Sequence, residues 1–389
     1  MIREHLFNAA TWAVKRLPAL RHAPQPLKRL IRGMRPSSAS EEPDDPDPPQ
    51  STDDYAQRLQ KEQDIFAEQS EVHDLPEIFH YWSNTHLRPR LEEYGFSNPD
   101  QFFARYLHQS FLSDGSGPTR FASIGAGNCD TEIRMAKMLS DLGLSDFTIE
   151  CVDINEAMLH RGKHSAIENG VSRNILCSLA DFNTWRPVPQ SYSAIMANQS
   201  LHHVVGLEQL FASIESALTP DGRFLTSDMI GRNGHMRWPE AMDIVHEYWR
   251  ELTESKRWNH QLGRYEELHE YWDCSNEGFE GIRSQDILPL LIERFAFELF
   301  LPYGNVIDPF VDRSFGPNFD PDSAEDRERI DRIHMRDQEE ILAGNITPTH
   351  LIAVMRKRPY SGDCKHPTGL TPSHCVRHAQ FERHEGPST

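Results

Sequence analysis

The sequence predicts an α/β fold, a doubly wound and mainly parallel sheet of seven strands, with a helical cap before it and a long insertion after its fifth strand. Two observations lead to this prediction. Between residues 121 and 228, short apolar runs alternate with segments of helical periodicity, which is typical of parallel βαβ units. The first run ends at Gly125-Ala126-Gly127, directly before an amphipathic helix. A glycine turn at this point lets a nucleotide approach the backbone.

Residues 55–114 precede the sheet and are predicted to form the helical cap. Three segments have the apolar spacing of helices, and the third begins at Pro99, because proline suits the first turn of a helix. The aromatic stretch at residues 80–84 could line a ligand pocket. Helical aromatic residues more often pack in a core, so core packing is the favoured interpretation.

The second to fifth predicted strands all end at a polar side chain. In chain order these residues are Asp153 after strand 147–152, Asp181 after strand 175–179, Asn198 after strand 194–197 and Asp228 after strand 223–227. Helices are expected between the strands, at 130–142, 156–169 and 207–218. Since the carboxyl ends of parallel strands meet at one edge of a sheet, we expect a ligand site there.

Residues 229–283 form the long insertion, which is rich in Trp, His, Asn and Arg. Connections of this length inside a compact domain are usually functional. After it the pattern predicts a helix at 285–295, a strand at 297–301, a helical segment at 323–343 and a final strand at 350–355, which is expected to be antiparallel.

These motifs resemble those of the class I S-adenosylmethionine-dependent methyltransferases, in particular the type that methylates small molecules. The resemblance covers residues 115–228 well and residues 284–358 more loosely. It rests on the glycine turn, Asp153, the Asp-Phe pair at 181–182, the stretch Asn-Gln-Ser-Leu-His-His at 198–203 and the turn Leu-Thr-Pro-Asp-Gly-Arg-Phe at 218–224. It implies a Rossmann-like methyltransferase domain at 115–358 that uses S-adenosyl-L-methionine as its cofactor.

The resemblance also implies roles for the residues around that cofactor. The glycine turn holds the methionine part, and Asp153 binds both ribose hydroxyls, because a carboxylate can accept two hydrogen bonds from a diol. Asp181 meets the adenine amino group, and Phe182 packs on the adenine ring. The implied cofactor-binding residues are Ser123, Gly125, Ala126, Gly127, Asp153, Ile154, Asp181, Phe182 and Asn198.

The chain departs from the family pattern at two positions. Ser123 stands where the family commonly has an acid two residues before the first glycine, and Cys129 replaces the third glycine. A serine still forms hydrogen bonds, so we expect weaker charge pairing with the amine of the cofactor and not a loss of binding.

Two other classes of protein share the early part of this pattern. An NAD(P)-dependent oxidoreductase prefers glycine at the sixth position from Gly125, where this chain has Asp130, and an acid there repels a pyrophosphate. A regulatory protein that binds S-adenosylmethionine without catalysing transfer is the other alternative. Methyl transfer is the favoured prediction.

The sequence predicts in-line transfer to an oxygen, less readily to a nitrogen, of a small-molecule acceptor. His235, His202 and His203 are the candidate bases, because imidazole has a suitable pKa. Candidate substrate-binding residues are Asn233, Arg237, Trp238, Asp273 and Glu277. An alternative is a self-contained loop network in which Arg237 and Arg283 pair with these acids. Since Asp153 and Asp181 already have family roles, no metal site is expected and the transfer is predicted to be metal-independent.

The formal net charge of -19 lies entirely within residues 55–358, which argues against nucleic acid as a partner. Residues 1–54 are first basic and then acidic and Pro-rich; they are predicted to be disordered, with weak peripheral membrane contact through 1–36 as an alternative. Residues 359–389 are predicted to be a disordered tail without a metal site. The six cysteines have no regular spacing, so reduced thiols and a cytoplasmic location are expected.

Overall fold

The computed structural model describes residues 55–61, 75–114, 119–276 and 278–377. The predictions for the extension at 1–54 and for Glu277 therefore lie outside the described residues, as does the end of the chain from residue 378. Within the described ranges, no helix combines the length and the apolar composition needed to cross a membrane.

The described strands, in chain order, are β1 (Thr119–Ile124), β2 (Phe147–Asp153), β3 (Ile175–Leu179), β4 (Tyr192–Asn198), β5 (Leu218–Met229), β6 (Trp258–Asn259), β7 (Arg264–Tyr265), β8 (Ala296–Tyr303) and β9 (His350–Arg356). Seven of them form one sheet in the order β3-β2-β1-β4-β5-β9-β8, and β6 pairs with β7 in the insertion. The pairs among β1 to β5 are parallel, whereas β9 is antiparallel to both of its neighbours. The predicted sheet is therefore confirmed, including its antiparallel last strand.

Ten α-helices accompany the sheet in the described part of the chain: α1 (Glu77–Trp82), α2 (Arg88–Glu92), α3 (Pro99–Asp114), α4 (Asp130–Asp141), α5 (Glu156–Glu168), α6 (Leu207–Ala217), α7 (Pro239–Arg250), α8 (Ser284–Arg294), α9 (Asp308–Val311) and α10 (Ala324–Ala343). Residues 55–61 are also helical. The buried side chains form two clusters, one with α3, α4 and α5 and the other with α1, α6, α7, α8 and α10. The sheet is thus covered on both faces, as its apolar central strands require.

The helical cap is part of this core. Trp82 is buried, and its indole Nε1 donates a hydrogen bond to His334 on α10 over 3.2 Å. Phe102 and Phe103 on α3 are fully buried in the cluster that contains α4 and α5. Within residues 80–84, Trp82 is therefore packed in the core as the favoured interpretation expects, whereas His80 is exposed. The cap does not form a separate layer.

The prediction of a disordered tail from residue 359 is wrong for residues 359–377. Lys365 lies beside β8, where its carbonyl accepts a hydrogen bond from the backbone of Phe300 and its N–H donates to Glu298. Leu370 and Cys375 are buried. The segment is rich in polar and small residues, but a few buried side chains and the backbone bonds to β8 are enough to order it.

Candidate active site

A cleft opens at the carboxyl ends of the parallel strands, with about 980 Å³ of atom-free space including its mouth. It lies beside the turns that follow β1, β2 and β4. In the sheet, β1 lies between β2 and β4, so the strand order reverses at β1. Such a reversal separates the two crossover helices and leaves a crevice, which is the usual ligand site of an open α/β sheet.

Sixteen residues line this cleft: Gly125, Ala126, Gly127, Asn128, Asp130, Thr131, Glu132, Asp153, Ile154, Asn155, Met158, Phe182, Asn198, Gln199, Ser200 and His203. They include seven of the nine predicted cofactor-binding residues, and the other two, Ser123 and Asp181, do not line it. These seven residues therefore lie together at one cleft. Much of the remaining wall comes from the first turns of α4 and α5, which the sequence analysis did not single out.

Asp153 joins the glycine turn to the start of the next helix. Its Oδ2 accepts a hydrogen bond from the Gly127 N–H over 2.8 Å, and its Oδ1 accepts one from the Asn155 N–H over 2.8 Å. Burial raises the pKa of Asp153, and these backbone donors oppose the rise. Each carboxylate oxygen can accept a second hydrogen bond, so Asp153 retains the capacity to bind a diol.

Glu132, a residue that the sequence reasoning missed, lies behind the glycine turn. The Ser123 hydroxyl donates to its Oε1 over 2.6 Å, whereas its Oε2 is buried and has no hydrogen-bond partner among the described residues. Burial raises the pKa of Glu132 to about 7. The sequence does contain one indication of this site. Glu132 shares a helix face with Ala136 and Leu139, and an acid on an apolar helix face is unusual.

Cys129 occupies the position of the third family glycine. It adopts a positive φ of 59°. Gly162 on α5 packs against it so closely that a Cβ at residue 162 would lie 2.7 Å from the cysteine Sγ. The cysteine therefore fits because the facing helix has a glycine there.

The Asp181 carboxylate accepts hydrogen bonds from other residues of the protein. Its Oδ2 accepts a hydrogen bond from the Tyr55 hydroxyl over 2.7 Å, and its Oδ1 accepts one from the Asn183 N–H. Burial and the nearby Asp181 carboxylate raise the pKa of Tyr55. Phe182, the next residue, does line the cleft.

Beside the cleft lies a group of four residues, His202, His203, His235 and Glu280, which we call the imidazole–carboxylate cluster. Glu280 Oε1 lies 2.6 Å from His235 Nε2 and 3.4 Å from His202 Nε2, and its Oε2 lies 3.5 Å from His203 Nε2. His203 also lines the cofactor cleft, so the cluster adjoins it. All three predicted histidines therefore meet at one carboxylate that the sequence analysis did not single out.

Three loops assemble this cluster through backbone hydrogen bonds. The Gly234 N–H donates to the Gly281 carbonyl over 2.9 Å, and the Ile282 N–H donates to the His202 carbonyl over 3.1 Å. Gly234 and His235 both have positive φ values, 63° and 58°. A histidine in this conformation is strained, and such strain persists only where surrounding contacts hold the residue in place.

Asp228, at the end of β5, fixes the orientation of His202. The Asp228 Oδ1 lies 2.6 Å from His202 Nδ1, and its Oδ2 accepts hydrogen bonds from the backbone of Ser200 and Leu201. Burial would lower the pKa of His202, but the two nearby carboxylates, Asp228 and Glu280, raise it to about 10. Burial lowers the pKa of His235. The pattern of polar strand ends was the sequence signal for Asp228.

The predicted substrate residue Arg237 is engaged within the protein. Its guanidinium donates to the Asn305 carbonyl over 3.0 Å, to the His235 carbonyl over 2.9 Å and to Asp308 Oδ2 over 2.8 Å. The residue is only 8% exposed. Arg237 thus belongs to a loop network, as in the alternative interpretation, but its acidic partner is Asp308 and not Asp273.

The remaining predicted substrate residues also lie away from the cleft lining. Trp238 is stacked between the guanidinium groups of Arg232 and Arg377, at 4.8 and 3.9 Å from its ring centroid. Asn233 accepts a hydrogen bond from the Gln285 N–H, and the Asp273 carboxylate caps the turn that follows it. These side chains support the loops that carry His235 and Glu280.

Residues 119–275 match a family model described as a methyltransferase domain. No curated protein matches the chain.

Several solved structures are similar to the chain at low sequence identity. Geranyl diphosphate C-methyltransferase from Streptomyces coelicolor A3(2), in complex with Mg²⁺, geranyl diphosphate and S-adenosyl-L-homocysteine, is 11% identical over 79% of this chain and 100% of its own, with a TM-score of 0.41. An S-adenosylmethionine-dependent methyltransferase from Mesorhizobium loti is 16% identical over 65% of this chain and 98% of its own, with a TM-score of 0.36.

The assignment rests on the family model together with the sheet order and the cleft at the strand-order reversal. Residues 119–275 of this chain therefore match a methyltransferase domain, and they lie in a sheet whose strand order reverses beside the cleft.

Proposed function

We propose that the protein transfers a methyl group by in-line displacement from S-adenosylmethionine to an oxygen atom of a small-molecule acceptor that lies against the imidazole–carboxylate cluster. The observation that carries this proposal is the position of His203, which belongs both to the cofactor cleft and to the cluster. An acceptor bound there would lie next to the methyl group. The net negative charge of residues 55–358 favours a small molecule over a nucleic acid.

The cofactor orientation follows from the chemistry of the cleft wall. We assign the ribose hydroxyls to Asp153 and the adenine ring to the side of Phe182. The ammonium group is assigned to Glu132, because a buried carboxylate oxygen without a partner is suited to a cation. Glu132 would then supply the negative charge that the family commonly has at the position of Ser123.

This assignment predicts a pH dependence of cofactor binding. Burial raises the pKa of Glu132 to about 7, so the free protein holds it mainly protonated at lower pH. Because the ammonium group pairs with the ionised form, affinity should increase about tenfold between about pH 5.5 and pH 7, where the amine remains charged. Calorimetric titration with S-adenosylhomocysteine at several pH values measures this change.

The variant Glu132→Gln is the control for that experiment. It has nearly the same size as the native residue but cannot ionise, so its affinity should be lower at pH 7 and should not change with pH in this range. An equal pH dependence in the native protein and in the variant would contradict the assignment of the ammonium group.

The transfer itself requires alignment more than acid–base chemistry. The bond from the methyl carbon to sulfur breaks as the bond to the acceptor oxygen forms, and the sulfonium leaves as a neutral thioether. The acceptor proton passes to the His203 imidazole. Positioning in a dry site supplies most of the rate enhancement, and a base contributes about 10²- to 10⁴-fold.

The sequence analysis predicted metal-independent transfer, because the strand-end acids Asp153 and Asp181 have other roles in the family that the chain resembles. Displacement at a sulfonium needs no metal on the leaving group, which is already positively charged. The cluster, however, gathers imidazole and carboxylate groups on the acceptor side that this expectation did not include. A metal ion bound at this cluster would make the transfer metal-dependent, in contrast to that prediction.

The test of the proposed function starts with the purified full-length protein and isotopically labelled S-adenosylmethionine. Fractions of a small-molecule extract are screened for transfer of the label, and mass spectrometry with NMR identifies the methylated atom. We expect an O-methylated small molecule. Binding of cofactor without transfer to any fraction would favour the regulatory alternative, and stabilisation by NAD(P) instead of S-adenosylmethionine would favour an oxidoreductase.

A further inference from the structure

We propose that His202, His235 and Glu280 bind a divalent transition-metal ion beside the cofactor cleft. Each residue offers one ligand atom, and these atoms all lie within 4.8 Å of one another. Metal binding at these residues does not depend on the proposed function. A role for the ion in holding the methyl acceptor does rest on it.

The distances suit a single ion. His235 Nε2 and His202 Nε2 lie 2.6 and 3.4 Å from the same oxygen of Glu280. Ligand atoms at ~2.0–2.2 Å from a zinc ion are on the order of 3 Å apart, so small side-chain rotations would bring all three groups onto one ion. The Glu280 side chain is 35% exposed, which leaves the site a path to solvent.

The surroundings of His202 are those of a metal ligand. Its Nδ1 faces Asp228, which is itself held by the backbone N–H groups of Ser200, Leu201 and Met229. Metal-bound histidines commonly donate their second ring N–H to a carboxylate in this way, which fixes both ring and tautomer. The Nε2 atom is thereby directed towards His235 and Glu280.

The backbone conformation of the loop that carries His235 is a second, independent observation that supports a site here. The residue is held at a positive φ of 58° directly after Gly234, and a Cβ at residue 234 would lie 2.0 Å from an Asp273 oxygen. The backbone hydrogen bond from the Gly234 N–H to the Gly281 carbonyl joins this loop to the one that carries Glu280. Strained backbone that is fixed by several contacts is typical of functional sites, and here it brings two ligands from distant segments together.

The ligand set indicates the class of metal. Two imidazoles and one carboxylate suit Zn²⁺, Fe²⁺ and related ions, whereas Mg²⁺ and Ca²⁺ prefer oxygen ligands alone. Three protein ligands leave coordination positions open. An acceptor hydroxyl bound at such a position would lie near His203, and the ion would lower the pKa of that hydroxyl before its proton passes to the imidazole.

Zinc binding by the full-length protein tests this inference without any need for turnover. The protein is freed of metal with EDTA and titrated with Zn²⁺ against a chromogenic chelator, and Co²⁺ absorption spectra report the ligand geometry. We expect one ion per chain. His235→Ala and Glu280→Gln should each weaken binding by more than the about 10- to 100-fold that loss of an outer-shell partner costs, because each removes a direct ligand.

His164→Ala is the matched control, since His164 is an exposed histidine on α5 that faces Glu168. It should bind Zn²⁺ as the native protein does. Binding of S-adenosylhomocysteine by the two ligand variants shows that they are folded. Failure of the native protein to bind stoichiometric Zn²⁺, or unchanged Zn²⁺ affinity in folded His235→Ala and Glu280→Gln, would overturn the proposal. Failure of the proposed function would instead appear as a lack of cofactor binding or of methyl transfer.

Discussion

Replacement of Asp153 by alanine is expected to weaken the binding of S-adenosylmethionine and S-adenosylhomocysteine by about 100-fold or more. The variant loses the carboxylate to which we assign both ribose hydroxyls, and hydrogen bonds to a charged group contribute about 1.5–3 kcal/mol each. It also loses the acceptor for the N–H groups of Gly127 and Asn155, which position the turn. Since 1.4 kcal/mol corresponds to a factor of ten, loss of two such bonds reaches the stated size.

Calorimetric titration with S-adenosylhomocysteine measures this loss directly. Asp141→Ala provides the control, because Asp141 is an exposed acid at the end of α4, away from the cleft lining. We expect that control to bind like the native protein. An affinity for Asp153→Ala within threefold of the native value would show that Asp153 does not hold the ribose.

Replacement of His203 by alanine is expected to reduce turnover by about 10²- to 10⁴-fold, the range for removal of a general base. His203 is the one predicted histidine that lines the cofactor cleft, whereas His202 and His235 lie behind it in the cluster. We therefore assign the proton-accepting role to His203 and the metal-binding role to the other two. The predicted loss lies in kcat and exceeds any change in cofactor affinity.

The rate of methyl transfer and the cofactor affinity are both measured for the native protein and for His203→Ala, so that the effect on kcat is separated from the effect on binding. His160→Ala on α5 is the control, because His160 is an exposed histidine that should affect neither quantity. Added imidazole should restore part of the lost rate in His203→Ala if the side chain acts as a base. Turnover within a few-fold of the native rate would exclude His203 from this role.

The sequence was most informative where local chemistry and chain order coincide. The glycine turn, Asp153 and Asn198 follow apolar strands directly, and parallel strands necessarily place their carboxyl ends at one edge. His202 and His203 were predicted as candidate bases for the same reason, since they follow the polar end of β4. Seven strands, their direction and the position of the cleft could therefore be predicted from periodicity and strand-end residues.

The same reasoning did not single out Glu280 in the insertion. Asp273 and Glu277 were selected because they lie in a dense polar stretch, but Asp273 caps its own turn, and Glu277 lies outside the described residues. Glu280 is the acid that meets the three histidines. Its partners come from residues 202–203 and 235, and no sequence periodicity links loops so far apart along the chain.

Arg237 and the chain end illustrate a related limit. Arginine is a residue type that often binds anions, which is why Arg237 was a candidate. Its guanidinium contacts are nevertheless made within the protein, including the ion pair with Asp308 on α9. Residues 359–377 look like a tail by composition, yet they pack beside β8. In both cases the deciding contacts are long-range, and residue type alone does not specify them.

By itself, the sequence determined the doubly wound sheet and the edge at which the cleft lies, because these depend on hydrophobic periodicity and on residues next to strand ends. The resemblance to methyltransferases rests on the motifs at those strand ends. Only the tertiary structure decided which acid meets His202, His203 and His235, and that the Ser123 hydroxyl donates a hydrogen bond to Glu132. The meeting of Glu280 with the three histidines depends on loops that are joined by backbone hydrogen bonds and on close contacts at Gly234 and Gly281. Such contacts form only after the sheet has brought the loops to one edge, so the acceptor chemistry is a property of the folded chain.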